Sequence, residues 1–176
     1  MENGIGQEDK FEELDRGYCY LVKEDKPDLS FELFEDLAED TDSLWITRIY
    51  PEKLTEKLKG GRPQLIWLSH TPGKGHCHPS ALSSLSRIIL STLEKDGTVL
   101  LDGLEYLSVH NGFNQALIFL ERINEFTMQR QGVVVIPINP AAFNQRELAL
   151  LERNIRVLES VLDIAKKDIS SLIEEY

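Results

Sequence analysis

Cysteine is scarce in this chain of 176 residues: only Cys19 and Cys77 occur. Two thiols offer no disulfide framework, and a reducing compartment is the natural setting. Long hydrophobic runs are missing too. Stretches such as Gly132–Ile136 and Leu65–Leu68 are far too short to span a bilayer, so no membrane partner is expected. Residues 1–16 carry acids where an export signal needs basic residues and then an apolar stretch, which makes a cytoplasmic location the expectation. Basic residues are in short supply, 19 against 30 acids, for a net charge of −11. Phosphate backbones are held mainly by Lys and Arg, so nucleic acid is not an expected partner. The acidity reads as solubility. There is no Gly-x-Ser-x-Gly elbow, no internal repeat and no low-complexity segment.

What is present is an ordinary globular composition, 41% hydrophobic and 28% charged, in a length that suits one core. The chain alternates short β-rich runs with helical periods. Strands are expected at Gly17–Val22, Leu44–Thr47, Gln64–Ser69, Thr98–Leu101 and Val133–Ile138. Between them, Ser30 is placed to cap a helix carrying Phe31, Phe34 and Leu37 on one face. Pro51 opens a helix that runs to about Lys59. A third helix follows Pro79-Ser80, and a fourth covers Phe113 to about Arg130. This alternation implies βαβ units, and hence a parallel five-stranded sheet with helices on both faces. Residues 1–16 read as a flexible acidic arm and 17–143 as the α/β domain.

From Asn144 to Tyr176 there is no Gly or Pro. Leu151, Ile155, Leu158, Leu162, Ile169 and Leu172 fall on a heptad seam, which predicts one long amphipathic helix over 144–176. Two readings stay open for it: self-association, or docking on the chain's own sheet.

Several blocks are familiar in type. Gly17-Tyr-Cys-Tyr-Leu-Val22 followed by Phe31-Glu-Leu-Phe-Glu-Asp-Leu37 resembles the first βα unit of KaiC-like ATPases. Leu100-Leu-Asp102 is similar to a Walker B strand with its aspartate. With Trp67-Leu68, His110-Asn-Gly-Phe113 and Glu147-Leu-Ala-Leu-Leu-Glu152, the set closely resembles an archaeal family of unknown function, the one numbered 835. The resemblance implies a three-layer RecA-like, P-loop-NTPase-like scaffold and a place in archaeal signalling proteins.

The catalytic parts of such an ATPase are missing. A phosphate loop needs glycines so that backbone N–H groups can close round phosphate, then Lys and Ser/Thr. The corresponding stretch is Lys23-Glu-Asp-Lys-Pro-Asp-Leu-Ser30, without a glycine; Pro27 removes a donor, and Glu24, Asp25 and Asp28 repel triphosphate. The second strand of KaiC-like enzymes ends in water-activating acids, whereas Arg48-Ile49-Tyr50 has none. ATP hydrolysis is not expected, and no cofactor is implied.

The carboxyl ends of the strands supply the candidate ligand-binding residues: Arg48 as an anion anchor, with His70, Asp102 and Asn139. Asp102 reads equally as the cap of the turn that follows it. His70, His76, Cys77 and His78 form a Cys/His run, but adjacent ligands do not match zinc spacing, and no metal site is assigned. Two functions are therefore carried forward. One is a non-enzymatic regulatory or protein-interaction module whose partner is a protein or a second copy bound through the C-terminal helix. The other is a sensor that binds a nucleotide or small anion without turnover.

Overall fold

Period-two alternation along the strands decides the layers. In the computed structural model, which describes residues 14–58 and 61–158, β1 (Tyr18–Lys23) sends Cys19 and Leu21 to one face and Tyr20 and Val22 to the other, all four buried. β2 (Ser43–Thr47), β3 (Gln64–Leu68), β5 (Thr98–Leu101) and β6 (Val133–Ile138) form the rest of the central sheet. Burial on both faces is what a parallel sheet requires, since its crossover connections lay helices over each side.

On one face lies α1 (Asp28–Ala38), where Phe31 and Phe34 pack on Trp45 with ring centroids 4.7 and 5.4 Å away. Ser30 does not cap this helix. The helix starts at Asp28 after Pro27, and Ser30 is buried inside its first turn. On the other face, α3 (Leu82–Glu94) and α5 (Phe113–Met128) bring Leu85, Ile89, Leu93, Phe119, Leu120 and Ile123 into a core with Leu44, Ile46, Val99, Leu101, Val134 and Ile136. The short α2 (Pro51–Leu54) opens on Pro51 and buries Leu54, but ends well before Lys59; turn hydrogen bonds from Lys57 and Leu58 to the Leu54 carbonyl follow it.

The sheet has seven strands rather than five, in the order β4-β3-β2-β5-β6-β1-β7, and the pairings between them are parallel. The additions are two-residue edge strands, β4 (His76–Cys77) and β7 (Arg156–Val157). Two residues carry no periodicity, so neither was visible in the sequence. Pairing makes them: Ser69 N–H donates to the Cys77 carbonyl at 3.0 Å, and Trp67 N–H to Gly75 at 2.8 Å.

A further helix, α4 (Leu104–Asn111), lies between β5 and α5, bounded by Gly103 and Gly112 at positive φ. The expected single helix over 144–176 is corrected as well. After an Asn144–Glu147 capping box, α6 (Gln145–Asn154) stops at Asn154, whose carbonyl accepts from Asn124 on α5 at 2.9 Å. Ile155 is already extended, and β7 pairs with β1 through Tyr20 and Leu21. An open edge of β1 and a β-branched pair, Ile155 and Val157, favour a strand over further helix. Lys23 at the end of β1 pairs with Glu152 and fixes α6 beside it. Leu151 and Ile155, each 1% exposed, belong to the chain's own core rather than to an intermolecular seam. Leu158 is half-buried, while Leu162, Ile169 and Leu172 lie outside the described residues. Among the described residues no helix is long and apolar enough to cross a membrane.

Candidate functional site at the carboxyl edge of the sheet

In an open parallel sheet, ligands favour the crevice where neighbouring strands send their connections in opposite directions. Here that point lies between β2, which leads outward to β3, and β5, which leads the other way to β6. Thr47 and Asp102 meet across it. The Thr47 hydroxyl donates to Asp102 Oδ2 at 2.9 Å, accepts from Ile49 N–H at 3.0 Å, and Asp102 N–H donates to the Ile46 carbonyl at 2.9 Å. Burial raises the Asp102 carboxyl to about 6, with Glu105 and Glu24 adding to the shift and the Thr47 bond and Lys57 opposing it.

Arg48, the next residue on β2, folds over this point. Its guanidinium carbon stands 3.6 Å from the centre of the Tyr106 ring, and Nη1 donates to the Leu68 carbonyl at 2.6 Å. Gly103 makes the approach feasible: at φ +144°, a Cβ there would lie 2.9 Å from Leu68 Cδ1. The arginine is thus held by a ring and a carbonyl, a cation–π and charge-assisted pair that also locks α4 onto β3.

Beside Tyr106 three imidazoles touch. His70 Nδ1 is 3.0 Å from His78 Nε2, and His70 Nε2 is 3.1 Å from His110 Nε2. The outer bonds assign the tautomers. His78 Nδ1 accepts from Ser80 N–H, so its proton is on Nε2 and is donated to His70 Nδ1. His70 then donates from Nε2 to His110, whose Nδ1–H donates to the Tyr106 carbonyl at 2.9 Å. Every ring lone pair in this relay is used. Desolvation, then His78, His110 and Arg48, lower the His70 basicity below its ordinary value. His76 takes no part: its Nδ1 bonds the Thr71 carbonyl, and its ring lies on Trp67.

The other side of the edge is acidic. Glu24, Asp25, Asp102, Glu105 and Asn139 line a cavity of about 210 Å³. Asn139 spends its side chain accepting from Ala141 N–H, and its own N–H donates to Glu105 at 2.7 Å. Glu24 covers the start of α1: Oε1 accepts from Leu29 N–H at 2.7 Å, Oε2 from Ser30 N–H at 3.2 Å, and the Ser30 hydroxyl also donates to it. Burial raises the Glu24 carboxyl despite these bonds, which lower it. Those amides are the groups that a helix N-terminus offers to an anion, and the chain fills them with its own carboxylate.

The four residues expected to form one crevice thus divide in two. Arg48 and His70 share a cluster around Tyr106, while Asp102 and Asn139 share the acidic cavity, with Thr47 and Asp102 between the halves. Among the described residues no group of three or more His, Cys, Asp or Glu side chains is arranged to hold a metal ion. Burial disfavours the thiolate at both cysteines, pushing Cys19 up to about 12 and raising Cys77. Sequence reasoning missed Tyr106 and His110 as site residues. Their spacing of four on a helix bracketed by Gly103 and Gly112 was the available signal.

A family profile described as "Protein of unknown function (DUF835)" matches residues 23–155. The chain belongs to the DUF835 family. That match spans both halves of the carboxyl edge, from Glu24 to Asn139, together with α6. A comparison with curated proteins finds no match to this DUF835 chain.

Proposed function

We propose that this DUF835 domain is a non-enzymatic regulatory or protein-interaction module, working in the cytoplasm of an archaeal signalling system. In this reading its sheet is a RecA-like, KaiC-like scaffold that has lost nucleotide hydrolysis. The observation that carries the proposal is Glu24 seated on the Leu29 and Ser30 amides, where a triphosphate would need bare N–H groups. Asp25 and Asp28 on the same connection add repulsion. The buried thiols and the self-satisfied histidine relay support a fold that displays a surface rather than one that performs chemistry.

The test is direct. Titration of the purified protein with Mg·ATP is expected to give no saturable heat up to millimolar concentration, and no phosphate release above a mock preparation. Saturable binding or turnover overturns the proposal. The sensor reading keeps one foothold, the Arg48–Tyr106 cluster, because it holds a fixed guanidinium at the edge. A thermal-shift panel of small anions whose stabilisation disappears in Arg48→Ala would favour it.

A further inference from the structure

A second polar feature lies between α3 and α5, and none of its lining residues belongs to the carboxyl edge. Where two helices pack, apolar ridges normally fill the seam, and Leu85, Ile89 and Leu93 do so on the sheet side. One turn of the wheel outward, α3 instead carries Ser83, Ser86, Arg87, Leu90, Ser91 and Glu94, spaced by three and four along one face. The three serines among them leave a groove of about 470 Å³, closed on the α5 side by Arg122 and Phe126. That volume lies in the range of small-molecule sites, roughly 300–1,000 Å³.

Two independent features of the groove look for a ligand. Ser86 is only 5% exposed, and its Oγ has no hydrogen-bond partner, although a serine within a helix usually bonds the carbonyl four residues back. Arg87 and Arg122 are exposed, and neither has an ion pair or hydrogen bond among the described residues, in a chain with 30 acids to 19 bases. Glu94 at the far end leaves the lining with a net charge of one positive unit.

We infer that the α3–α5 groove binds an organic phosphomonoester, with Arg87 and Arg122 holding its oxygens and Ser86 turning its hydroxyl to donate from the floor. Guanidinium groups match a phosphate through paired N–H donors, which a lysine does not supply. Leu90 and Phe126 give the organic part an apolar wall, and Phe126 is held in place by Arg130, stacked 3.5 Å from its centre. Glu94 accepts from a ligand hydroxyl and disfavours a second phosphate at that end. The site is separate from the α1 amides, so silence toward Mg·ATP there leaves it intact.

Phenyl phosphate, inorganic phosphate and benzoate are the probes, titrated calorimetrically into the full chain at pH 7.5. Phenyl phosphate is expected to bind saturably and at least fivefold more tightly than either of the others. The Arg87→Gln/Arg122→Gln double variant should weaken it tenfold or more, and the exposed Arg153→Gln control less than twofold. Ser86→Ala should raise the melting temperature of the free protein, by removing an unpaired hydroxyl, while weakening phenyl phosphate about threefold. A merely structural serine would move the first quantity and leave the second alone, which overturns the proposal. So do the absence of saturable binding, equal binding of benzoate, or a double variant that binds like the parent.

Discussion

Glu24 Oε1 lies 2.7 Å from the amide nitrogen of Leu29, so the first turn of α1 is capped by a carboxylate five residues back in the chain. An acid at this position opposes the positive end of the helix dipole and satisfies amides that the helix itself leaves open. Glu24→Ala is expected to cost about 1–2 kcal/mol, the usual range for a lost N-terminal cap, measured by urea unfolding at pH 7. Vacating the amides should not create a nucleotide site, since Asp25, Pro27 and Asp28 remain. Calorimetry on Glu24→Ala is expected to stay silent toward Mg·ATP; a measurable affinity would mean that Glu24 alone was the barrier.

Asp102 is predicted to cost the protein stability at neutral pH. Its carboxyl sits at about 6 in the folded chain against 3.8 for an ordinary aspartate, mainly through burial. Between those values the folded chain keeps a proton that the unfolded chain gives up. Stability from this group therefore falls as pH rises through the window and stays lower above it, by on the order of 2–3 kcal/mol. Asp102→Asn keeps an acceptor for the Thr47 hydroxyl and removes the charge. Urea unfolding should show the variant more stable at pH 8 by roughly that amount, with little difference near pH 4. Equal stability at both values would show that water or a cation solvates the carboxylate in solution.

The strands and most helices were legible because their signals are local. Val133–Ile138 and Thr98–Leu101 are buried on both faces, and an unbroken apolar run is what such a strand looks like in sequence. The edges were not legible. His76–Cys77 and Arg156–Val157 become strands only because β3 and β1 present open ladders to them. The heptad pattern beyond Asn144 overrode the β-branched pair Ile155 and Val157, yet tertiary pairing decided that stretch. At the site, Arg48, His70, Asp102 and Asn139 were found as strand ends. Their division into a cationic and an acidic half depends on α4, which hides between two glycines and carries Glu105, Tyr106 and His110.

Placement of Leu151 and Ile155 in the chain's own core sets a third prediction. Each is 1% exposed, with Leu151 packed on the α5 side of the sheet and Ile155 leading into β7. Leu151→Ala removes buried volume from a closed core, and a loss of about 2–5 kcal/mol is expected by urea unfolding. Sedimentation of the folded variant should match that of the parent. A variant that keeps its stability but changes its state of association would return Leu151 to an intermolecular seam.

The histidine relay makes the edge sensitive to acid, with the opposite sign to Asp102. In the relay Ser80 N–H feeds His78, His78 feeds His70, and His70 feeds His110. A proton added to His70 sets its Nδ1–H against the Nε2–H of His78, and Arg48 beside Tyr106 adds a fixed positive charge. Native His70 accordingly binds a proton less readily than the unfolded chain, whose imidazole titrates near 6.5. The unfolded state then carries more protons as pH falls below 6.5, so the contribution of His70 is complete above that value and is lost on acidification. Proton NMR of the imidazole resonances should place the His70 midpoint below 6.5. In a His78→Phe/His110→Phe variant the midpoint should move upward, because the neighbours that compete for charge are gone. A His70 that titrates at its ordinary value in the parent protein would mean that the three rings do not hold together in solution.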